Sequence, residues 1–284
     1  NDGDDTFIDQ ATDRGVDIST DRDVGLTSHG ATFGDVDRDG DLDLVVAQWF
    51  GELPSEGDPT GAGGCSGENS EGSQTQVLLN DGEGVFRDST EALGLNFDGV
   101  FAFQPTLSDY DADGWPDLFL TGDFCTSRLF RNLGGERFQD VTDQTNVGTD
   151  ENGMGSTVAD VNGDGLLDWF VTSIAYPTAD GKCPFDHGCS GNRLFLNDGD
   201  SAFVDATDRY GLRDGYWGWG SSVADLNHDG NVDVVQTNGY SKPPYFASDP
   251  TTVWINTGEP PMVRSTRRVG MSDTDLGRVT TTFD

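Results

Sequence analysis

Four stretches of this chain put Asp or Asn at every second position and then turn on a glycine. They are Asp35, Asp37, Asp39 with Gly40 and Asp43; Asp109, Asp111, Asp113 with Gly114 and Asp117; Asp160, Asn162, Asp164 with Gly165 and Asp168; and Asp225, Asn227, Asp229 with Gly230 and Asp233. Counted from the first Asp, oxygen-bearing side chains fall at positions 1, 3, 5 and 9 and glycine at position 6 in every copy. Alternating oxygen donors, with no nitrogen or sulfur among them, suit a hard cation of flexible coordination, and that cation is calcium. Position 7 varies freely (Asp41, Trp115, Leu166, Asn231), as expected of a residue that contributes its main-chain carbonyl. The glycine permits the sharp turn that brings position 9 back to the ion. An EF-hand would carry Glu at position 12, where this chain has Val46, Leu120, Val171 or Gln236. A single Asp-Gly turn would mean little, because such turns are common in hairpins; four in register predict about four calcium ions, one per loop. Crowded carboxylates repel by about 1 kcal/mol per pair even in a water-like dielectric, so the metal is expected to be structural.

The segments that must position these loops repeat with them. The loops begin 74, 51 and 65 residues apart. A β-rich run follows each loop (Leu42–Ala47, Leu118–Thr121, Trp169–Thr172, Val232–Thr237), then a second run ending in Asn (Val77–Asn80, Arg128–Asn132, Arg193–Asn197, Thr252–Asn256). Glycine-bearing turns come next, read as hairpins, and a third strand opens with Phe-x-Asp at Phe86/Asp88, Phe138/Asp140 and Phe203/Asp205. There the Phe is expected to fill the space between units and the Asp to cap a turn. The stretch before each loop (Gly30–Gly34, Ala102–Leu107, Gly155–Ala159, Gly218–Ala224) supplies a fourth strand. No segment holds a helical period for more than a turn or two. The expected fold is therefore all-β, a β-propeller of four-stranded blades with the metal loop in the hairpin between the first and second strands. A linear β-solenoid is the weaker alternative, since its rungs are shorter than these periods. The chain reads as one repeat domain, residues 1–284, with blades near 28–90, 100–145, 153–210 and 216–268. An orphan last-strand motif stands at 5–12 (Phe7/Asp9), and 277–284 resembles the start of a fifth unit. These ends favour a piece of a larger propeller; an open array completed by another copy of the chain is the alternative.

The composite pattern, Asp-x-Asp/Asn-x-Asp-Gly-x-x-Asp followed by Asn and then Phe-x-Asp-x-Thr, resembles the FG-GAP/VCBS repeats of integrin-α-like propellers. Tyr216-Trp-Gly-Trp-Gly220 ahead of the fourth loop is similar to the cartilage-acidic-protein/ASPIC-type branch. The resemblance implies a seven- or eight-bladed propeller, an extracellular location and calcium between the first two strands of each blade.

Composition agrees with many short, half-exposed strands: 34% hydrophobic residues, 39 glycines and a mean hydropathy of −0.50. No run approaches the roughly 18 apolar residues of a membrane span. The formal charge of −35 argues against a nucleic-acid partner and has two sources, cation loops and a dispersed acidic surface of the kind that stays soluble in brine. Lys182 and Lys242 are the only lysines, a bias seen in salt-loving microbes. Four cysteines in an acidic, exported chain favour disulfides, with Cys183–Cys189 and Cys65–Cys125 preferred among three connectivities. Zinc on Cys183, His187 and Cys189 is a minor alternative without a fourth ligand.

The insertions Phe50–Thr75, Ser173–Asn192 and Gly239–Pro250 all follow the second strand of their unit and so should crowd one face, where such scaffolds place recognition. Their aromatics (Trp49, Phe50, Tyr176, Tyr240, Tyr245, Phe246) either contact a partner or anchor the loops. Trp217 and Trp219 read first as packing between blades and second as a sugar platform. Catalysis fares poorly: the clustered carboxylates are spoken for as metal ligands, and no nucleophile–base pair has recognisable spacing. The expected function is a non-enzymatic extracellular module of adhesion, matrix interaction or assembly, with a protein or glycan partner at the cell surface or further copies of itself. Lectin-like glycan binding, or an accessory role in a secreted carbohydrate-active enzyme, is the alternative.

Overall fold

The structure, a computed structural model, describes residues 6–18, 28–49, 74–175, 183, 188–200, 202–240, 249–271 and 273–282. Its strands form four separate antiparallel sheets, each with its four strands in chain order. The first holds β1 (Ser28–Gly34), β2 (Asp43–Gln48), β3 (Gln76–Asn80) and β4 (Phe86–Asp88). The second holds β5 (Phe101–Ser108), β6 (Asp117–Asp123), β7 (Arg128–Asn132) and β8 (Phe138–Asp140). The third holds β9 (Ser156–Ala159), β10 (Asp168–Val171), β11 (Arg193–Asn197) and β12 (Phe203–Asp205). The fourth holds β13 (Gly218–Ala224), β14 (Asp233–Asn238), β15 (Thr252–Ile255) and β16 (Val263–Arg264). Two single-turn helices, α1 (Thr142–Thr145) and α2 (Thr207–Tyr210), follow β8 and β12.

First strands meet in succession, β1 against β5, β5 against β9 and β9 against β13. Four sheets packed in series with their first strands innermost make a β-propeller. The burial of each strand follows from that placement. Second strands lie between neighbouring blades, are covered on both faces and read as unbroken apolar runs such as Leu118-Phe119-Leu120 and Trp169-Phe170-Val171, all buried. First strands line the axis and stay half-exposed, as in β9 and β13.

The cores lie between blades. One joins Val45 and Val77 to Leu118, Phe130 and Phe138; a second joins Phe119 and Leu129 to Trp169, Phe195 and Phe203; a third joins Phe170 and Leu194 to Val234, Trp254 and Met262. Phe138 and Phe203 of the Phe-x-Asp motif thus do fill inter-blade space. The Asp caps as expected: Asp88, Asp140 and Asp205 each accept the N–H of the Thr two residues on, at 3.0, 3.0 and 2.9 Å. The turn beyond it reaches the next blade, where Phe138 donates its N–H to the Leu93 carbonyl and Met262 to that of Tyr210. The orphan motif takes the same place on the first blade. Phe7 is 81% exposed and outside any strand, yet the Phe86 N–H donates to the Arg14 carbonyl at 2.8 Å.

First strands are also joined by hydroxyl pairs in a fixed register. Thr106 meets Ser156 at 2.9 Å and Thr157 meets Ser221 at 2.6 Å. Ser222 and Thr280 continue the series at 3.4 Å, and the Thr282 hydroxyl donates to the Val223 carbonyl, so residues 278–282 run beside β13.

Candidate metal centre

Each Asp-rich loop connects the first strand of a sheet to the second, and all four close with the same hydrogen bonds. The glycine N–H at position 6 donates to the position-1 carboxylate in every copy: Gly40 to Asp35 at 3.2 Å, Gly114 to Asp109 at 2.8 Å, Gly165 to Asp160 at 2.9 Å and Gly230 to Asp225 at 2.8 Å. The position-5 N–H donates to the side chain at position 3, and the position-7 N–H to the carboxylate at position 5. These bonds fold the side chains at 1, 3 and 5 inward over one point. In the first two loops Asp35, Asp37, Asp39 and Asp109, Asp111, Asp113 bring carboxylate oxygens within 4.8 Å of one another. Asn162 and Asn227 stand at position 3 of the other two loops and donate to Asp164 and Asp229, at 2.8 and 3.0 Å.

Two residues of each loop take left-handed backbone. Gly40, Gly114, Gly165 and Gly230 have φ between 88° and 100°, and a Cβ at Gly40, Gly165 or Gly230 would meet nothing within 4 Å. Glycine is needed there for its backbone freedom and not for space. Position 4 is left-handed as well, at Arg38, Ala112, Gly163 and His228, with φ of 57–78°. The variety of residues at position 4 hid this second turn in the sequence.

Position 9 behaves differently from the other oxygen positions. Asp43, Asp117, Asp168 and Asp233 are fully buried, and both carboxylate oxygens accept main-chain N–H groups. One bond comes from position 2 of the same loop, from Val36, Tyr110, Val161 and Leu226 at 2.8–3.1 Å. The other comes from the Asn that ends the third strand, Asn80, Asn132, Asn197 or Asn256, at 2.8–2.9 Å. This Asp therefore ties the loop to its sheet. Burial pushes the Asp117 carboxyl up to about 7 and Asp168 up to about 6, against the downward pull of the two N–H donors, and raises Asp43 and Asp233 in the same direction. A cation beside them would oppose that rise.

Position 7 carries more than a carbonyl. Its side chain lies against the glycine of the third-to-fourth-strand hairpin in each blade: Asp41 by Gly82, Trp115 by Gly135, Leu166 by Gly199 and Asn231 by Gly258. The Trp115 ring also lies under Arg38 of the preceding loop, 5.2 Å from guanidinium carbon to ring centre.

The second loop holds a counter-charge of its own. Arg131 on β7 sits 2.6 Å from Asp111 and 3.0 Å from Asp113. Leu79, Leu196 and Ile255 occupy the corresponding place in the other blades. Even with the guanidinium alongside, burial raises the Asp111 carboxyl.

The donor set fits calcium: oxygen atoms alone, converging from positions 1, 3 and 5, with Asp35 Oδ1 buried and accepting no hydrogen bond from the protein. Trp115 and Leu166 could contribute main-chain oxygen alone.

At the other end of the strands, Cys183 and Cys189 are joined with Cα atoms 5.6 Å apart, which removes the zinc alternative for these two sulfurs. Cys125 is also disulfide-bonded, while Cys65, its expected partner, lies outside the described residues, as do His187, Phe50, Tyr176, Tyr245 and Phe246. Trp217 stacks on Tyr240 with ring centres 4.2 Å apart and planes 7° from parallel, and it also packs, half-buried, against the cluster of Phe103, Met154 and Ile174 from the second and third blades.

Residues 109–171 and 185–235 match the FG-GAP-like repeat family. These two spans carry FG-GAP-like repeats. The two matched spans contain the second, third and fourth Asp loops, and the first loop shares their hydrogen-bond pattern. Curated proteins gave no match. Among solved structures, the chain is similar to an Agrocybe aegerita lectin described as recognising non-reducing terminal N-acetylglucosamine, with 17% identity over 88% of this chain and 67% of that one and a TM-score of 0.40. It is similar to the V. cholerae biofilm matrix protein Bap1 at 14% identity and a TM-score of 0.37, over 84% of this chain and 39% of that one. A GH43_1 enzyme from Xanthomonas citri, complexed with xylose, gives 11% identity and a TM-score of 0.36, over 84% of this chain and 72% of that one. All three likenesses are too distant to assign a role to the FG-GAP-like repeats.

Proposed function

We propose that this chain is a non-catalytic, calcium-braced binding module that works outside the cell, with its loops as scaffold and its insertion face as the recognition surface. The observation that carries the reading is the shared geometry of the four loops. Each gathers the side chains at positions 1, 3 and 5 with the same internal bonds, while its position-9 Asp is committed to holding the loop on the sheet. Such a site offers no exchangeable nucleophile and no paired acid and base; it supplies a place for a hard cation and a rigid frame around it. The Cys183–Cys189 disulfide supports an oxidising compartment. The partner class is a glycan or a protein at a cell or matrix surface, favoured by the aromatics on the insertion face, Trp49, Trp217 and Tyr240. Calcium titration by calorimetry tests the scaffold role: saturable binding of about four ions with a matching rise in melting temperature is expected, and no calcium uptake would overturn it.

A further inference from the structure

At the end of the first strands remote from the metal loops, roughly 20 Å away by strand rise, the blades enclose a recess of about 320 Å³ around the propeller axis. Its walls come from separate elements: His29 on β1, Phe103 and Gln104 on β5, Met154 just before β9, Trp219 on β13 and Arg278 in the C-terminal segment. We propose that this axial recess binds a saccharide unit bearing a carboxylate, a hexuronate or its like. The ligand class rests on the reading of the chain as a surface-binding module.

The aromatic walls are built and fixed. The His29 and Phe103 rings lie 4.5 Å apart, Phe103 and Trp219 5.9 Å apart, and Trp49 packs on Phe103 at 5.8 Å. The Trp219 indole N–H donates to the Gly239 carbonyl at 2.7 Å, which holds the ring in place. Glycine floors the recess at Gly155 and Gly220; a Cβ on Gly220 would come within 2.8 Å of the Arg278 carbonyl. Apolar ring faces around a hexose-sized space suit the C–H faces of a pyranose.

The charge in the recess is of the opposite sign to the rest of the molecule. The chain carries −35 overall, yet no Asp or Glu is among the described residues lining this space. The Arg278 guanidinium lies 3.5 Å over the Trp219 ring. A guanidinium that stacks on an aromatic ring by its face keeps its in-plane N–H donors for a planar carboxylate. His29 has its pKa lowered by burial and then by Arg278, so at neutral pH it stands as an uncharged hydrogen-bonding partner for a sugar hydroxyl.

The test compares a galacturonate trimer with its neutral methyl ester, titrated in calcium against the intact chain and read by calorimetry and tryptophan fluorescence. Wild type is expected to bind the acid form about tenfold or more tightly than the ester, the margin of a charge-assisted hydrogen bond. Arg278→Gln should erase that preference, and Trp219→Leu should weaken both forms. Arg278 is exposed, so its variant should keep the wild-type calcium-dependent melt, which certifies its fold. Equal binding of acid and ester, or an Arg278→Gln variant that keeps its preference, overturns the proposal. Absence of binding to either trimer, in a chain whose melting still responds to calcium, overturns it too while leaving the scaffold reading intact.

Discussion

The side-chain amide of Asn197 donates to the main-chain carbonyl of Tyr110 across 2.9 Å and 87 residues of sequence. Asn197 closes β11 in the third blade; Tyr110 is the second residue of the Asp-rich loop in the blade before it. Asn132 and Asn256 make the same bond to Val36 and Val161, each at 2.9 Å. One Asn therefore holds its own loop through its main-chain N–H and the preceding loop through its side chain. Replacing Asn197 by Ala leaves a buried carbonyl without a partner, at a cost of about 1–3 kcal/mol. A thermal melt in calcium should show a drop of several degrees, and Asn197→Asp, which puts an acceptor where the donor was, should melt no higher. An unchanged melting point would make the amide a bystander.

Chelation removes whatever the ions contribute to all four loops at once. At free calcium about 100-fold above Kd, each independent site adds roughly 2.7 kcal/mol. Scanning calorimetry in excess EDTA should therefore show a much lower transition than in calcium, reversed by adding the ion back.

Arg131 distinguishes the second loop from the others. Arg131→Leu, which restores the residue type found at positions 79 and 196, removes the built-in partner of Asp111 and Asp113. In EDTA the variant should melt below wild type, because carboxylate repulsion is no longer offset. In calcium the gap should narrow, and calorimetry should show one site tightened. A parallel loss under both conditions would show that Arg131 acts through packing alone.

Two glycines separate loop conformation from blade packing. Gly165→Ala meets no neighbour but must hold φ near 88°, so it should cost about 1 kcal/mol or more and weaken calcium at the third loop. Gly155→Ala would drive a Cβ into the Trp219 carbonyl across the interface of the third and fourth blades. Its loss of stability should be the larger of the two and should be the same with and without calcium. Paired melts of the two variants read the difference.

Asp249 gives a pH dependence away from the Asp-rich loops. It is buried and accepts the Trp217 N–H; burial pushes its carboxyl from the usual 3.8 up to about 6, with Asp214 adding to the rise and Arg264 opposing it. A folded-state value above the unfolded one means that this group's stabilisation is complete below about pH 4 and is lost as the pH climbs through about 6. Asp249→Asn keeps a neutral acceptor and removes the loss. Its melting point relative to wild type should rise between pH 4 and 7 and then level off; a constant offset would rule out the linkage.

The sequence by itself determined the repeating unit. Strand, Asp loop, strand, Asn and Phe-x-Asp could be read in order because their defining bonds are local: the loop closes through bonds spanning two to five residues, and the Asp of Phe-x-Asp caps a turn two residues on. Local bonds depend on residue type and spacing, and both are visible in one dimension. The position-4 turns escaped notice because Arg38, Ala112 and His228 carry no signature of left-handed backbone. Position 9 looked like one more ligand, since an Asp held by two main-chain N–H groups has the same letter as one aimed at an ion. Only the tertiary structure decided how units meet: the Asn197–Tyr110 bond, the Thr157–Ser221 hydroxyl pair and the gathering of His29, Phe103, Trp219 and Arg278 around one recess. Those residues lie between about sixty and 250 positions apart, and what brings them together is the angle at which apolar blade faces pack, a property of the assembled cores and of no single segment.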